Sequence, residues 1–284
     1  MAEPVTEPEK TSRALSGTPA ASHYGGSRVK VGNLWLDPLT ERQAVDVVRT
    51  AWAERRGGSI FPVNVDIMRA AARQAALANL IAGGSLVVAD GMPLVWAARA
   101  SGNALPERVP GSSLIFSLSE AAASDGRSVF LLGGAEGVPD GAAKALKSRW
   151  PDLRIVGVDS PPFGFDQTDE GLGRTLAAVA AAGPDLVFVG LGFPRQERLV
   201  EQFRPVLPHT WFLACGGAIP IAAGVLPRAS PLMQRIGMEW AHRLFLEPRR
   251  LAGRYLRDDL PFAAALLARS SVHRLARHGH GLAG

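Results

Sequence analysis

The sequence predicts an α/β fold, a Rossmann-like and mostly parallel sheet with helices on both faces, joined to a helical, basic C-terminal appendage. Short apolar runs suited to buried strands recur along the chain, and at least five of them end in a corner that opens into a helical segment. Alternation of strand and helix in this order implies a parallel sheet covered on both sides. After Gly224 the pattern changes. From Val225 onward ten arginines face only Glu239, Glu247, Asp258 and Asp259, an excess of six positive charges in a chain whose formal net charge is +5. The basic character therefore sits at one end.

Taken in order, residues 1–28 are rich in Pro, Ser, Thr, Gly and Ala without an apolar period, which predicts a disordered tail. Val29 to Leu36 reads as a strand or hairpin arm. Thr40 caps the next helix, with Gln43 placed to close a capping box. Ser59 to Asn64 is a strand, and one alanine-rich helix runs from there to about Ala82. Leu86 to Ala89 is a short buried strand that ends in Asp90-Gly91-Met92-Pro93, and a helix continues to about Ala100. The loop Arg108-Val109-Pro110-Gly111 precedes a helix that Ser112 or Ser113 can cap.

Ser128 to Leu132 is a strong strand, followed by Gly133-Gly134 and a helix to Trp150. Arg154 to Val158 is the next strand, and Pro161 to Phe165 a loop. A helix over Thr175 to Ala182 leads to Asp185–Glu197, DLVFVGLGFPRQE: a buried strand, glycines at 190 and 192, and a helix opened by Arg195-Gln196-Glu197. Thr210 to Ala214 is the last clear strand and ends in Cys215-Gly216-Gly217. Beyond it, Gly237 to Asp259 reads as helices broken near Pro248, and a final helix spans Pro261 to about His278. The domain boundaries that follow are a tail over 1–28, an α/β catalytic domain over 29–226 and an arginine-rich appendage over 227–284.

Composition narrows the function. An apolar fraction of 47% over 284 residues is ample for one sizeable domain with an appendage. The lone Cys215 excludes an intrachain disulfide and a cysteine-based zinc site, and fits a reducing compartment. No run approaches the ~20 apolar residues of a spanning helix, and the N-terminus lacks a signal-peptide layout. A cytoplasmic protein is expected. The basic end suggests a polyanionic partner, nucleic acid or an anionic membrane face.

Several residues sit where chemistry is done. In a parallel sheet the carboxyl ends of the strands form the ligand edge. Asp90 lies there on a rigid mount, as a general base or as the cap of the next helix. Arg108 can grip phosphate or serve as a surface loop residue. Gly133-Gly134 can cradle a pyrophosphate, although GGAEGVPDG does not match the dinucleotide fingerprint and no P-loop is present. There is no H-E-x-x-H, no acidic metal cluster and no G-x-S-x-G elbow, so no metal site is assigned. Asp258-Asp259 reads as solvating a helix end. Arg269, His273 and Arg277 share a helical face.

The ordered series of motifs resembles the WecG/TagA/CpsF glycosyltransferases, glycosyltransferase family 26. It comprises Asn64, Asp90-Gly91 with PLVW after it, the RVPG loop at 108–111, Gly133-Gly134 and the PPFG loop. GFPRQE at 192–197, CGGA at 215–218, RASP at 228–231 and GMEWAHRLFLEPRRLxxRY at 237–255 complete it. The resemblance covers about residues 30–260, and the last motif is the most distinctive. One departure is Pro62, where family members often carry threonine.

The resemblance implies inverting, metal-independent transfer of a sugar from a UDP-sugar donor to a polyprenyl-diphosphate-linked saccharide. The sugar would be N-acetylmannosamine, its uronic acid, glucuronic acid or similar, and no cofactor is implied. Asp90 would be the base. Asn64, Arg108, Gly133, Gly134, Gly190, Gly192, Gln196 and Glu197 would bind substrate. Arg243, Arg250 and Arg254 would meet the acceptor or the membrane. The appendage would dock on the anionic inner membrane surface, making the protein peripheral there; a homo-oligomer stays open. The alternatives are a nucleotide- or nucleic-acid-binding module with a basic tail, against which aromatic residues interleave with arginine on an apolar helix face, and a nicotinamide-dependent oxidoreductase, disfavoured by the missing fingerprint.

Overall fold

The computed structural model describes residues 24–230, 232–233 and 238–279, the side chains of Arg250 and of 273–279 excepted. Six parallel strands form the main sheet: β3 (Gly58–Val63), β4 (Leu86–Ala89), β5 (Ser128–Leu132), β6 (Arg154–Asp159), β7 (Leu186–Val189) and β8 (Trp211–Ala214), in the order β4-β3-β8-β7-β5-β6. Successive side chains along a strand point to opposite faces, so neighbouring residues feed two different cores. Phe61, Val63, Val87 and Ala89 belong to one, and Ile60, Leu86 and Val88 to the other. This explains why the strands read as continuous apolar runs without alternation.

On the first face lie α2 (Val65–Arg73), α3 (Ala75–Ala82), α4 (Met92–Ala100), α7 (Asp169–Ala182) and α8 (Arg195–Phe203). On the second lie α1 (Glu41–Ala53), α5 (Gly111–Ser124), α6 (Val138–Arg149) and α9 (Ala218–Ala222). The Thr40–Gln43 capping box is present at the start of α1. β1 (Val29–Val31) and β2 (Leu34–Leu36) form a separate antiparallel hairpin. It is tied down by Arg28, at the edge of the compositional tail, whose buried guanidinium donates to Asp37 and to the carbonyls of Ala82 and Gly84.

Two local expectations change. The helix after β3 is two helices, because Gln74 adopts an extended conformation (φ −136°, ψ 110°) between them. Neither Ser112 nor Ser113 caps α5. Pro110 occupies that position and its carbonyl accepts from the amides of Ser113 and Leu114, while Ser113 Oγ accepts from Arg228 at 2.6 Å.

The C-terminal segment returns to the domain. It forms α10 (Glu239–Leu246), α11 (Pro248–Ala252), a π-helical turn (Gly253–Asp259) and α12 (Leu260–Gly279). α12 packs on α4 and α2, and its Leu266 joins the core of the first face. The helices break at Pro248 as its missing N–H requires. The face proposed for Arg269, His273 and Arg277 falls partly outside the described side chains. Among the described residues, no helix is long and apolar enough to cross a membrane.

Candidate active site

The carboxyl ends of β3 and β4 open into a cavity of about 390 Å³, closed from above by the C-terminal helices. Its size is that of a small-molecule site. A second cavity, about 410 Å³, lies at the opposite edge near Gly57, Arg204 and Pro208. Ligands of open α/β sheets bind at the carboxyl edge, and the other edge holds none of the residues singled out from sequence. The chemistry therefore belongs to the first.

Asn64 is the residue after β3. Its side-chain oxygen accepts from the Ile67 amide at 3.0 Å and caps α2, so this carbonyl is committed to holding the loop. Asp90 follows β4, and its amide donates to the Val63 carbonyl at 2.7 Å, which fastens the two strand ends together. No side chain caps α4, whose first position before the helix is Gly91; the Asp90 carboxylate is left to line the cavity. Burial pushes its pKa up to about 7, with Arg243 pulling it down, Glu239 pushing it further up and Arg108 pulling it down. A carboxylate tuned this way can accept a proton near neutral pH.

Arg108 enters from the loop before α5, where Val109 bonds to the Ala89 carbonyl at 2.6 Å and fixes the loop beside Asp90. Its guanidinium is ion-paired with Glu239 at the start of α10. One turn on, Arg243 reaches toward Gly217: a Cβ there would sit 3.9 Å from both terminal nitrogens of Arg243. Arg243 thus lies between Asp90 and the corner after β8. On the far wall Arg69 bonds Asp66 at 2.5 Å and Asp259 at 3.0 Å, and Arg254 approaches Asp66 at 3.5 Å. Trp240 and Tyr255 meet edge to face, with ring centroids 6.3 Å apart. The side chain of Arg250 lies outside the described residues.

The glycine corners, with Gly133, Gly134, Gly190 and Gly192, lie outside the lining of this cavity. Gly133 (φ +101°) abuts Gly190 so closely that a Cβ would lie 2.7 Å from the Gly190 carbonyl oxygen. Here glycine is required by both conformation and space. Gly134 and Gly192 also have positive φ. Gln196 is buried, and its carbonyl oxygen accepts from the amides of Gly192 (3.2 Å) and Gly216 (3.0 Å). Its amide donates to Glu197 Oε1 at 2.9 Å. Gln196 therefore ties the β7 and β8 corners together, and neither it nor Glu197 lines the 390 Å³ cavity. Glu197 is buried with Oε2 unpartnered within the protein, and burial pushes its pKa up to about 7, with the Gln196 bond opposing. Arg195 grips Asp166 through two bonds of 2.7 and 2.8 Å and pins the PPFG loop against this corner.

Two charged centres side by side, one proton acceptor and a ring of guanidinium groups, suit a reaction that takes a proton from one substrate and releases an anion from another. The model of the "Glycosyl transferase WecG/TagA/CpsF family" matches residues 29–276. The chain belongs to this family. As a glycosyltransferase it has similar curated relatives, each named N-acetylglucosaminyldiphosphoundecaprenol N-acetyl-beta-D-mannosaminyltransferase. That of Bacillus subtilis (strain 168) is 30% identical over 199 residues, covering 69% of this chain and 75% of the relative. That of Staphylococcus aureus (strain NCTC 8325 / PS 47) is 28% identical over 228 residues, covering 79% and 87%.

Among the charged residues lining this glycosyltransferase's cavity, sequence reasoning assigned no role in the site to Asp66, Glu239 or Asp259. Glu239 stood out only as a carboxylate among arginines. Asp259, read as solvating a helix end, is instead buried and bonded to Arg69. Its pKa is raised, first by burial and then by Asp66, with Arg69 and Arg254 opposing. The π-helical turn rotates it inward, which no local pattern announces. Cys215 is buried at the β8 corner and its thiol is pushed up to about 12 by burial, too high for a nucleophile at neutral pH.

Proposed function

We propose that this glycosyltransferase moves a hexose derivative from a UDP-sugar to a polyprenyl-diphosphate-linked saccharide. The observation that carries the reading is Asp90, a carboxylate with its pKa raised toward neutrality on the floor of a cavity whose walls carry Arg108, Arg243 and Arg254. Asp90 takes the proton of the acceptor hydroxyl. The freed oxygen attacks the anomeric carbon, the bond to the diphosphate breaks, and its electron pair leaves on UDP. A single displacement inverts the anomeric configuration. The departing charge is met by guanidinium groups without calling on a metal ion, and the corner tied by Gln196 supplies the donor-side wall.

The relatives' names motivate the acceptor and make N-acetylmannosamine the first donor to test, ahead of its uronic acid and glucuronic acid. Peripheral binding to an anionic membrane is part of the proposal. Phe245 is 86% exposed, and Leu246 and Leu256 are exposed near Arg249 and Arg257, the mixture that an interfacial surface requires. The experiment is incubation with a panel of UDP-sugars and polyprenyl-diphosphate saccharides, with and without a chelator, following UDP release. Release that depends on both substrates supports the reading, and no release with any pair overturns it.

A further inference from the structure

The charged lining of the cavity comes from Asp90, Arg108, Glu239 and Arg243 and, on the far wall, from Asp66, Arg254 and Asp259. Two helices supply an apolar flank. From the first two turns of α4, which follows Asp90, come Met92, Pro93 and Trp96. From α12 come Leu260, Ala263, Ala264 and Leu267, at the spacing that places residues on one helical face. None of the seven side chains carries a carbonyl, hydroxyl or charge. Trp96 and Leu260 are each 44% exposed, and Ala264 is exposed, so the flank reaches the surface instead of closing into the core.

A saccharide laid along this flank would lose hydration with only the Trp96 indole N–H to bond in return, which is unfavourable. A hydrocarbon would gain from the same burial. The ligand that satisfies both flanks is an amphiphile, with its anion among the arginines and its chain between α4 and α12. We propose that this apolar flank binds the first isoprenoid units of the acceptor lipid and directs the chain out past Trp96 and Leu260. The small side chains of Ala263 and Ala264 leave it room. This inference rests on the reading given under Proposed function.

The test uses the full chain and detergent-free acceptors that differ only in lipid length, one isoprene unit against three, at saturating UDP-sugar. For the unaltered protein, acceptor KM should be lower for the longer chain by about tenfold, the order expected for burying a few apolar carbons. In the double variant Trp96→Ser/Leu260→Ser the ratio of the two KM values should fall toward one. Ala264→Phe, which fills the flank without removing an apolar surface, should lower it as well. A ratio of one in the unaltered protein overturns the inference while leaving the transfer reaction intact. A ratio unchanged in both variants does the same, including the case where both KM values rise together because Trp96 stacks on the sugar. Absence of transfer to either acceptor overturns the underlying reading and this inference with it.

Discussion

Arg108 and Glu239, 131 positions apart in the chain, form an ion pair in the wall of the cavity, with their side chains only 13% and 20% exposed. The pair joins the loop between α4 and α5 to the first residue of α10, so the C-terminal segment completes the site. Glu239 also holds the pKa of Asp90 up, whereas Arg108 and Arg243 pull it down. In Glu239→Gln the like charge disappears and Arg108 loses its counter-charge, and both changes stabilise ionised Asp90. The acid limb of kcat/KM should move to lower pH by up to about one unit, with a lower plateau from the weaker base. A limb that stays in place would show that Glu239 does not act on the proton acceptor.

Asp90 itself makes two separable predictions. As the base it must be ionised, so activity should rise with pH through about 7 and then level. Asp90→Asn should retain UDP binding, measured by calorimetry, and lose transfer by about 10²- to 10⁴-fold. The second prediction concerns stability. The folded pKa is raised above the unfolded value of 3.8, so the native state holds a proton that the unfolded state has released between about pH 4 and 7. Stability from this group is complete below the lower value and is lost as pH rises to the upper one. Asp90→Asn should therefore be more stable than the parent above pH 7, on the order of 1–3 kcal/mol, and the gap should close toward pH 4. Equal thermal midpoints across that range would contradict the raised pKa.

Gln196 is predicted to matter through the two corners it joins. Gln196→Ala removes the acceptor of the Gly192 and Gly216 amides and the donor to Glu197, a loss of about 1–3 kcal/mol for groups left unpaired. The donor KM should rise with the fall in thermal midpoint. Glu197→Gln keeps an oxygen for the Gln196 amide while removing a buried carboxylate whose pKa is raised to about 7. It should preserve the donor KM and flatten the loss of stability between about pH 4.5 and 7. If Gln196→Ala leaves both stability and donor KM untouched, the tie between the corners is not what holds the donor wall.

Much of this was legible in the sequence, for identifiable reasons. Buried parallel strands are continuous apolar runs, and each ended within about a residue of its expected limit, as with Leu86–Ala89 and Ser128–Leu132. Asn64 and Asp90 stand at strand ends and Arg108 in the loop before α5, and the fold brings them to one edge. What was not legible depends on distant chain segments meeting. Glu239 and Asp259 acquire their surroundings only when α10 and α12 fold back over α4, a contact with no local periodicity to signal it. Gln74 breaks a helix in an alanine-rich stretch whose propensity favours continuation, a case of tertiary context overriding local preference.

The membrane reading calls for point variants, because removing residues 227–284 would also strip Leu266 from the core and Glu239 from the site. Phe245 is the most exposed aromatic of α10, and Arg249 and Arg257 of the same C-terminal segment are exposed as well. Each arginine near an anionic surface contributes on the order of 1 kcal/mol, and reversing its charge exchanges attraction for repulsion. Phe245→Ser combined with Arg249→Glu and Arg257→Glu should abolish sedimentation with vesicles containing anionic lipid, measured at moderate ionic strength. None of the three lines the cavity, so transfer to a short, water-soluble acceptor should persist. Sedimentation equal to that of the parent would mean that the contact with lipid lies elsewhere on the molecule. Loss of binding to vesicles together with loss of transfer to the soluble acceptor would mean that the surface and the site are one unit.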